Sequence, residues 1–316
     1  MKEVAKRVLE KCFALKPSES LLVITDTITY EIGEAFFYAG LELNAESLLV
    51  VMKPRSRSGE EPPKPIAEMW KHVDVFVAPT YYSLTHTQAR RLACEAGARG
   101  ATMPGITKEI VMRALDVDYE EVAKLGFKMT DALKNAKEIR VLNPSGTDIS
   151  FSVEGREFDV DTGLYRERGS WGNLPAGEVY IAPVEGTGNG VVVIDGSISH
   201  VGIVREHVRV RVEDGYAVEI SGGIEADKLK EMLEGVGKRE AFNFPAEFGI
   251  GCNPSAKISG IVLEDEKVYG TIHFAFGDNS TFGGKTKAGI HLDVLVREPT
   301  VIVDGRTIIE KGVWEV

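Results

Sequence analysis

Cysteine is scarce in this chain. Cys12, Cys94 and Cys252 stand far apart and no C-x-x-C occurs, which excludes a zinc ribbon or a thioredoxin-like redox motif. No apolar run approaches the length of a membrane span. The opening MKEVAKRVLEKCFAL is amphipathic, with Val4, Val8, Cys12 and Leu15 on one helical face, and lacks the form of a signal peptide, so a cytoplasmic location is expected. Positive charge is also short: 37 Lys and Arg face 48 Asp and Glu, and the net charge of −11 argues against nucleic acid or an anionic membrane as partner. No G-x-G-x-x-G and no G-x-x-x-x-G-K-[ST] follows a strand, so neither a dinucleotide fold nor a P-loop is supported. Glutamine occurs once, at Gln88, while Lys and Glu abound, a bias that suits a thermophilic source.

What is present divides into two grammars, and 316 residues suit two domains. Residues 1–136 alternate helix and strand. Runs such as LLVIT and VDVFVAP are nearly all apolar, as parallel strands covered on both faces must be. An open, Rossmann-like α/β layered domain is expected there. Residues 137–316 read as short β runs separated by turn signals such as Asp195-Gly196 and Asp214-Gly215, with one helix near 225–233. This predicts a β-rich α+β domain.

The stretch 270–294, GTIHFAFGDNSTFGGKTKAGIHLDV, carries two of the six histidines. His273 and His291 each lie in a run of β-formers, joined by a Gly-rich connection. Residues i and i+2 of a strand share a face, so His291 and Asp293 project together; if the two runs pair, His273 can face the same pocket. Two imidazoles and a carboxylate are ligands for zinc, manganese, cobalt or iron. A half-buried, hydrogen-bonded histidine gives the same pattern. Two further acids sit in apolar settings that are costly unless the charge is paired or metal-bound: Glu178 in NLPAGEVYIAP and Glu247 in NFPAEFGIGCNP. A salt bridge or a backbone cap would answer equally for either. Glu264, Asp265 and Glu266, in LEDEK, read as a polar turn, Lys285 and Lys287 as solvated loop charges, and Cys252 as a packing residue.

The blocks NLPAGEVYIAP, NFPAEFGIGCNP, GTIHFAFGDN and GIHLD, in that order, resemble the M29 group of thermophilic metalloaminopeptidases related to aminopeptidase T. The resemblance implies a dinuclear metallo-exopeptidase, a hydrolase and metalloprotease releasing N-terminal residues from peptides through a metal-activated water. It implies Glu178, Glu247, His273, His291 and Asp293 as ligands of two divalent ions (zinc, cobalt or manganese), with Glu178 or Glu247 free to act as catalytic base, and a homodimer. The chain is a shortened member, and Ser280 stands where those peptidases carry a tyrosine. The same superfamily contains a dihydroxypyridine ring-cleaving dioxygenase that also resembles this chain. It implies the alternative of iron(II) on His273, His291 and Asp293; a non-catalytic relative of the fold is a third expectation.

Overall fold

The computed structural model describes residues 1–316, which fall into two units. The first comprises Met1–Ala123 and Asp161–Ala176. Its five strands are ordered Glu46–Met52, Ser20–Asp26, Val75–Thr80, Arg99–Pro104 and Trp171–Asn173, all parallel. The expected apolar runs form the middle of this sheet: Leu21 to Asp26 and Val75 to Thr80 are buried throughout. Helices between the strands supply the cover that such two-sided burial requires, as in the α/β class. At the end of the Ser20–Asp26 strand, Asp26 accepts from the amides of Ile28, Thr29 and Tyr81 and from the Thr29 hydroxyl. That acid is spent on ordering its own turns.

The second unit comprises Lys124–Val160 and Gly177–Val316. A single cut at residue 136 does not describe this division, for two physical reasons. Met129, Leu133 and Ala136 bury their side chains in the core of the second unit. The Trp171–Asn173 strand pairs in parallel with Arg99–Pro104, which returns a short segment to the first unit.

Two antiparallel sheets, of eight and seven strands, build the second unit. Phe151 of the eight-stranded sheet lies 5.3 and 6.0 Å, ring to ring, from Phe248 and Phe274 of the other. Ile250, Ile272, Phe276, Val294 and Val296 join the same buried cluster. Each fully buried side chain of this kind stabilises by roughly 1.5–3 kcal/mol. The seven-stranded sheet thus has one face set by the core, and alternation sends the intervening residues to the other face. No helix of the chain is long and apolar enough to cross a membrane.

Candidate metal centre

Four neighbouring strands of the seven-stranded sheet carry the site: Glu178–Ile181, Glu247–Gly251, Ile272–Gly277 and His291–Val296. They pair antiparallel, with Gly251 opposite Glu178, Gly249 opposite His273, Ala275 opposite both Glu247 and Asp293, and Gly277 opposite His291. Residues directly opposite in such a ladder share a face. All five residues singled out in the sequence therefore project from the side away from the phenylalanine core. Small residues fill the positions between them. A Cβ at Gly249 would stand 2.0 Å from Cε1 of His273, and one at Gly251 would stand 2.1 Å from the carbonyl oxygen of Val268. The E-F-G-I-G sequence thus alternates bulk into the core with space under the site.

The side chains converge as two groups joined at Glu247. Glu247, His291 and Asp293 offer ligand atoms within 4.8 Å of one another, and so do Glu178, Glu266 and His273. His291 Nε2 lies 3.1 Å from oxygens of both Glu247 and Asp293. His273 Nε2 lies 3.5 Å from oxygens of both Glu178 and Glu247. His291 is oriented from behind: its Nδ1 donates to the carbonyl of Asp278 at 2.7 Å, which turns Nε2 toward the acids. Asp278 is fixed in turn by the Ser280 amide and hydroxyl and the Ala288 amide. The Phe282 ring meets His291 edge to face, 5.7 Å between centroids.

Two participants escaped the sequence reading. Glu266 does not lie in a solvated turn. The helix Val262–Asp265 is only four residues long, and directly after it Glu266 and Lys267 both turn inward. Lys267 Nζ lies 2.5 Å from Glu178 and 2.7 Å from Glu266. An element of one turn has no periodicity to read, and a Glu-Lys pair in sequence looks solvated. The available signal was Gly251, whose missing side chain admits the backbone at 267–268.

Electrostatics follow from the crowding. Burial raises the Glu178 carboxyl to about 8, against the pull of Lys267. Burial also raises Glu266. Burial opposes ionisation of Glu247, but the imidazoles of His273 and His291 outweigh it and hold that carboxyl well below its usual range. Burial would lower His273; Glu247, then Glu178 and Glu266, instead carry it up to about 9. His291 is likewise driven upward, against burial, by Asp293 and Glu247.

The donor set fits a divalent metal ion. His273 is 1% exposed, yet neither ring nitrogen has a hydrogen-bond partner, and Glu178 Oε2 is likewise unsatisfied. Orphaned buried polar atoms are costly and rare in a native structure, and a cation between these groups would satisfy them. Imidazole nitrogens with carboxylate oxygens suit zinc, iron and manganese.

Comparison with known proteins gives the following. A family described as "NicX: 2,5-dihydroxypyridine 5,6-dioxygenase" matches residues 1–315. The 2,5-dihydroxypyridine 5,6-dioxygenase of Pseudomonas putida KT2440 is 27% identical over 197 residues, a match spanning 57% of this chain and 55% of that relative. The chain thus matches little more than half the length of its curated relative. A solved 2,5-dihydroxypyridine dioxygenase from P. putida KT2440 superposes with a TM-score of 0.84 at 20% identity, covering 99% of this chain and 96% of that one. AmpT from Thermus thermophilus superposes with a TM-score of 0.75 at 17% identity, covering 100% and 98%. Both show a shared fold. The family match over nearly the whole chain overturns the expected aminopeptidase: the hydrolase, protease and M29 assignments fall, and the family that matches is a dioxygenase's. The motif blocks misled because likeness to both groups runs through the same sheet, and that sheet specifies the fold before it specifies the reaction.

Proposed function

The chain belongs to the 2,5-dihydroxypyridine 5,6-dioxygenase family, and on that premise we propose that it is a non-haem iron dioxygenase that opens a dihydroxylated, nitrogen-containing aromatic ring. His273, His291 and Asp293 are the residues that would hold iron(II), as a two-histidine, one-carboxylate set. The observation that carries the reading is His273, a fully buried imidazole with no hydrogen bond to either nitrogen, on the same sheet face as His291 and Asp293. Iron(II), when bound, supplies open positions at which a hydroxylated ring and dioxygen meet.

The protein's own groups prepare that meeting. The Asp278 carbonyl fixes the tautomer and plane of His291. Glu247, ionised and adjacent to both imidazoles, supplies a fixed negative charge between them. Phe282, beside His291 and 5.9 Å from Tyr180, offers an aromatic edge for a flat substrate.

The test is oxygen consumption. Metal-free protein reloaded anaerobically with iron(II) is mixed with 2,5-dihydroxypyridine, dihydroxybenzenes and a monohydroxypyridine. One dioxygen consumed per ring, with loss of the ring's ultraviolet absorbance, is the expected result for the dihydroxypyridine. No uptake with any dihydroxylated ring, from protein shown to hold iron, would remove the proposal.

A further inference from the structure

Four carboxylates surround this centre, Glu178, Glu247, Glu266 and Asp293, more than one divalent ion neutralises. Such a set, with one acid between two groups, is what a pair of metal ions uses. The second of the two groups sets the carboxyls of Glu178 and Glu266 together beside His273, so it is a position built for positive charge.

That position already has a cation. Lys267 is 1% exposed, and its ammonium lies 2.5 Å from Glu178 Oε1 and 2.7 Å from Glu266 Oε1. A buried lysine is tolerated only when paired, and here two acids pair it. Its backbone is pinned as well as its tip: the Lys267 amide donates to Glu264, the Lys267 carbonyl accepts from Asn253, and Gly251 gives the segment room. A divalent ion bridging Glu178 Oε1 and Glu266 Oε1 would sit at about 2.0–2.2 Å from the oxygens that the ammonium now holds, and would have to displace it.

We propose that Lys267 is a built-in replacement for a second metal ion, so that this acid-rich centre takes one divalent ion, on His273, His291 and Asp293, where a two-metal centre would otherwise form. The idea rests on the metal-dependent reading above. It adds what sets the count: an ammonium that cannot polarise or activate water leaves one ion and its open positions to the substrate.

Metal count per chain tests it. Untagged, metal-free protein is dialysed against excess zinc or cobalt, and bound metal is measured by plasma mass spectrometry, with circular dichroism as a check on folding. The wild type should hold one ion per chain, and Lys267→Met, which keeps the stem's packing, should hold two. Lys267→Gln serves if Lys267→Met does not fold, and Lys267→Arg, which keeps the charge, should hold one. Two ions in the wild type, or one in both the folded Met and Gln variants, would overturn the role of Lys267 while leaving a metal enzyme. No tight ion in the wild type or any variant would instead overturn the metal-dependent reading, and this proposal with it.

Discussion

His273 places the heaviest demand on its surroundings. Its ring is sealed between the strands of Glu247 and His291, with carboxylates at 3.5 Å and no hydrogen bond to either nitrogen. Removing it takes away a ligand and a charge partner together. His273→Ala should therefore lower iron or zinc affinity by more than the roughly 10–100-fold that loss of a supporting group around a metal costs. Asp293→Asn, which keeps shape and removes charge, should do the same. Isothermal titration of the metal-free proteins measures both; affinities within a factor of three of wild type would place the ion elsewhere. These residues were legible in the sequence because period-two spacing and apolar flanks are local properties. Glu266 and Lys267 were not, since their burial is decided by the strand that ends at Gly251, far away in sequence.

At the scale of the element, the strand Glu247–Gly251 joins core and site. Phe248 and Ile250 face the phenylalanine cluster, while Glu247, Gly249 and Gly251 face the acids. The glycines matter through space rather than torsion: at Gly249 any side chain meets the His273 ring. Gly249→Ala should destabilise the protein by about 1–3 kcal/mol, the usual cost of overpacking, and should also weaken metal binding by displacing the ring. Gly235→Ala is the control, since a Cβ there meets nothing within 4 Å at the last residue of the helix Ile224–Gly235. It should be neutral or stabilising by up to about 1 kcal/mol. Urea unfolding of the two variants compares them, and equal stabilities would refute the packing account. The sequence announced strands at 270–276 and 290–297 because β-formers run together there, but the pairing of Glu178–Ile181 with Glu247–Gly251 joins segments too distant for any local pattern to reveal.

The whole molecule has a pH dependence that follows from the same crowding. In metal-free protein His273 is raised from 6.5 to about 9, so its folded form holds a proton the unfolded chain gives up first. Its contribution to stability is complete below about 6.5 and is lost as pH rises through 9. Metal binding runs the other way: it needs neutral imidazoles and expels their protons, so affinity increases with pH. Thermal scans between pH 6 and 9 should show the metal-free melting temperature falling and the metal-induced increase growing. A metal-induced increase that shrinks over that range would contradict the assignment of His273 as a ligand. The division into an α/β unit and a β-rich unit was readable from the change of hydrophobic period. The return of Trp171–Asn173 to the first sheet was not, because a three-residue strand carries no signal of its own. The reaction was misread for a related reason, since a sheet that sets acids and imidazoles on one face serves hydrolysis and oxygenation alike.

On the proposed reading, one face of one sheet gathers His273, His291 and Asp293 around a single ion. Crystals of iron-loaded protein, measured on either side of the iron absorption edge, would locate that ion and its ligands. One anomalous peak per chain is expected, about 2.0–2.2 Å from a nitrogen of each histidine and an oxygen of Asp293, with the Lys267 ammonium still between Glu178 and Glu266. A peak bound elsewhere, or a centre in which the two imidazoles hold no ion in common, would contradict it.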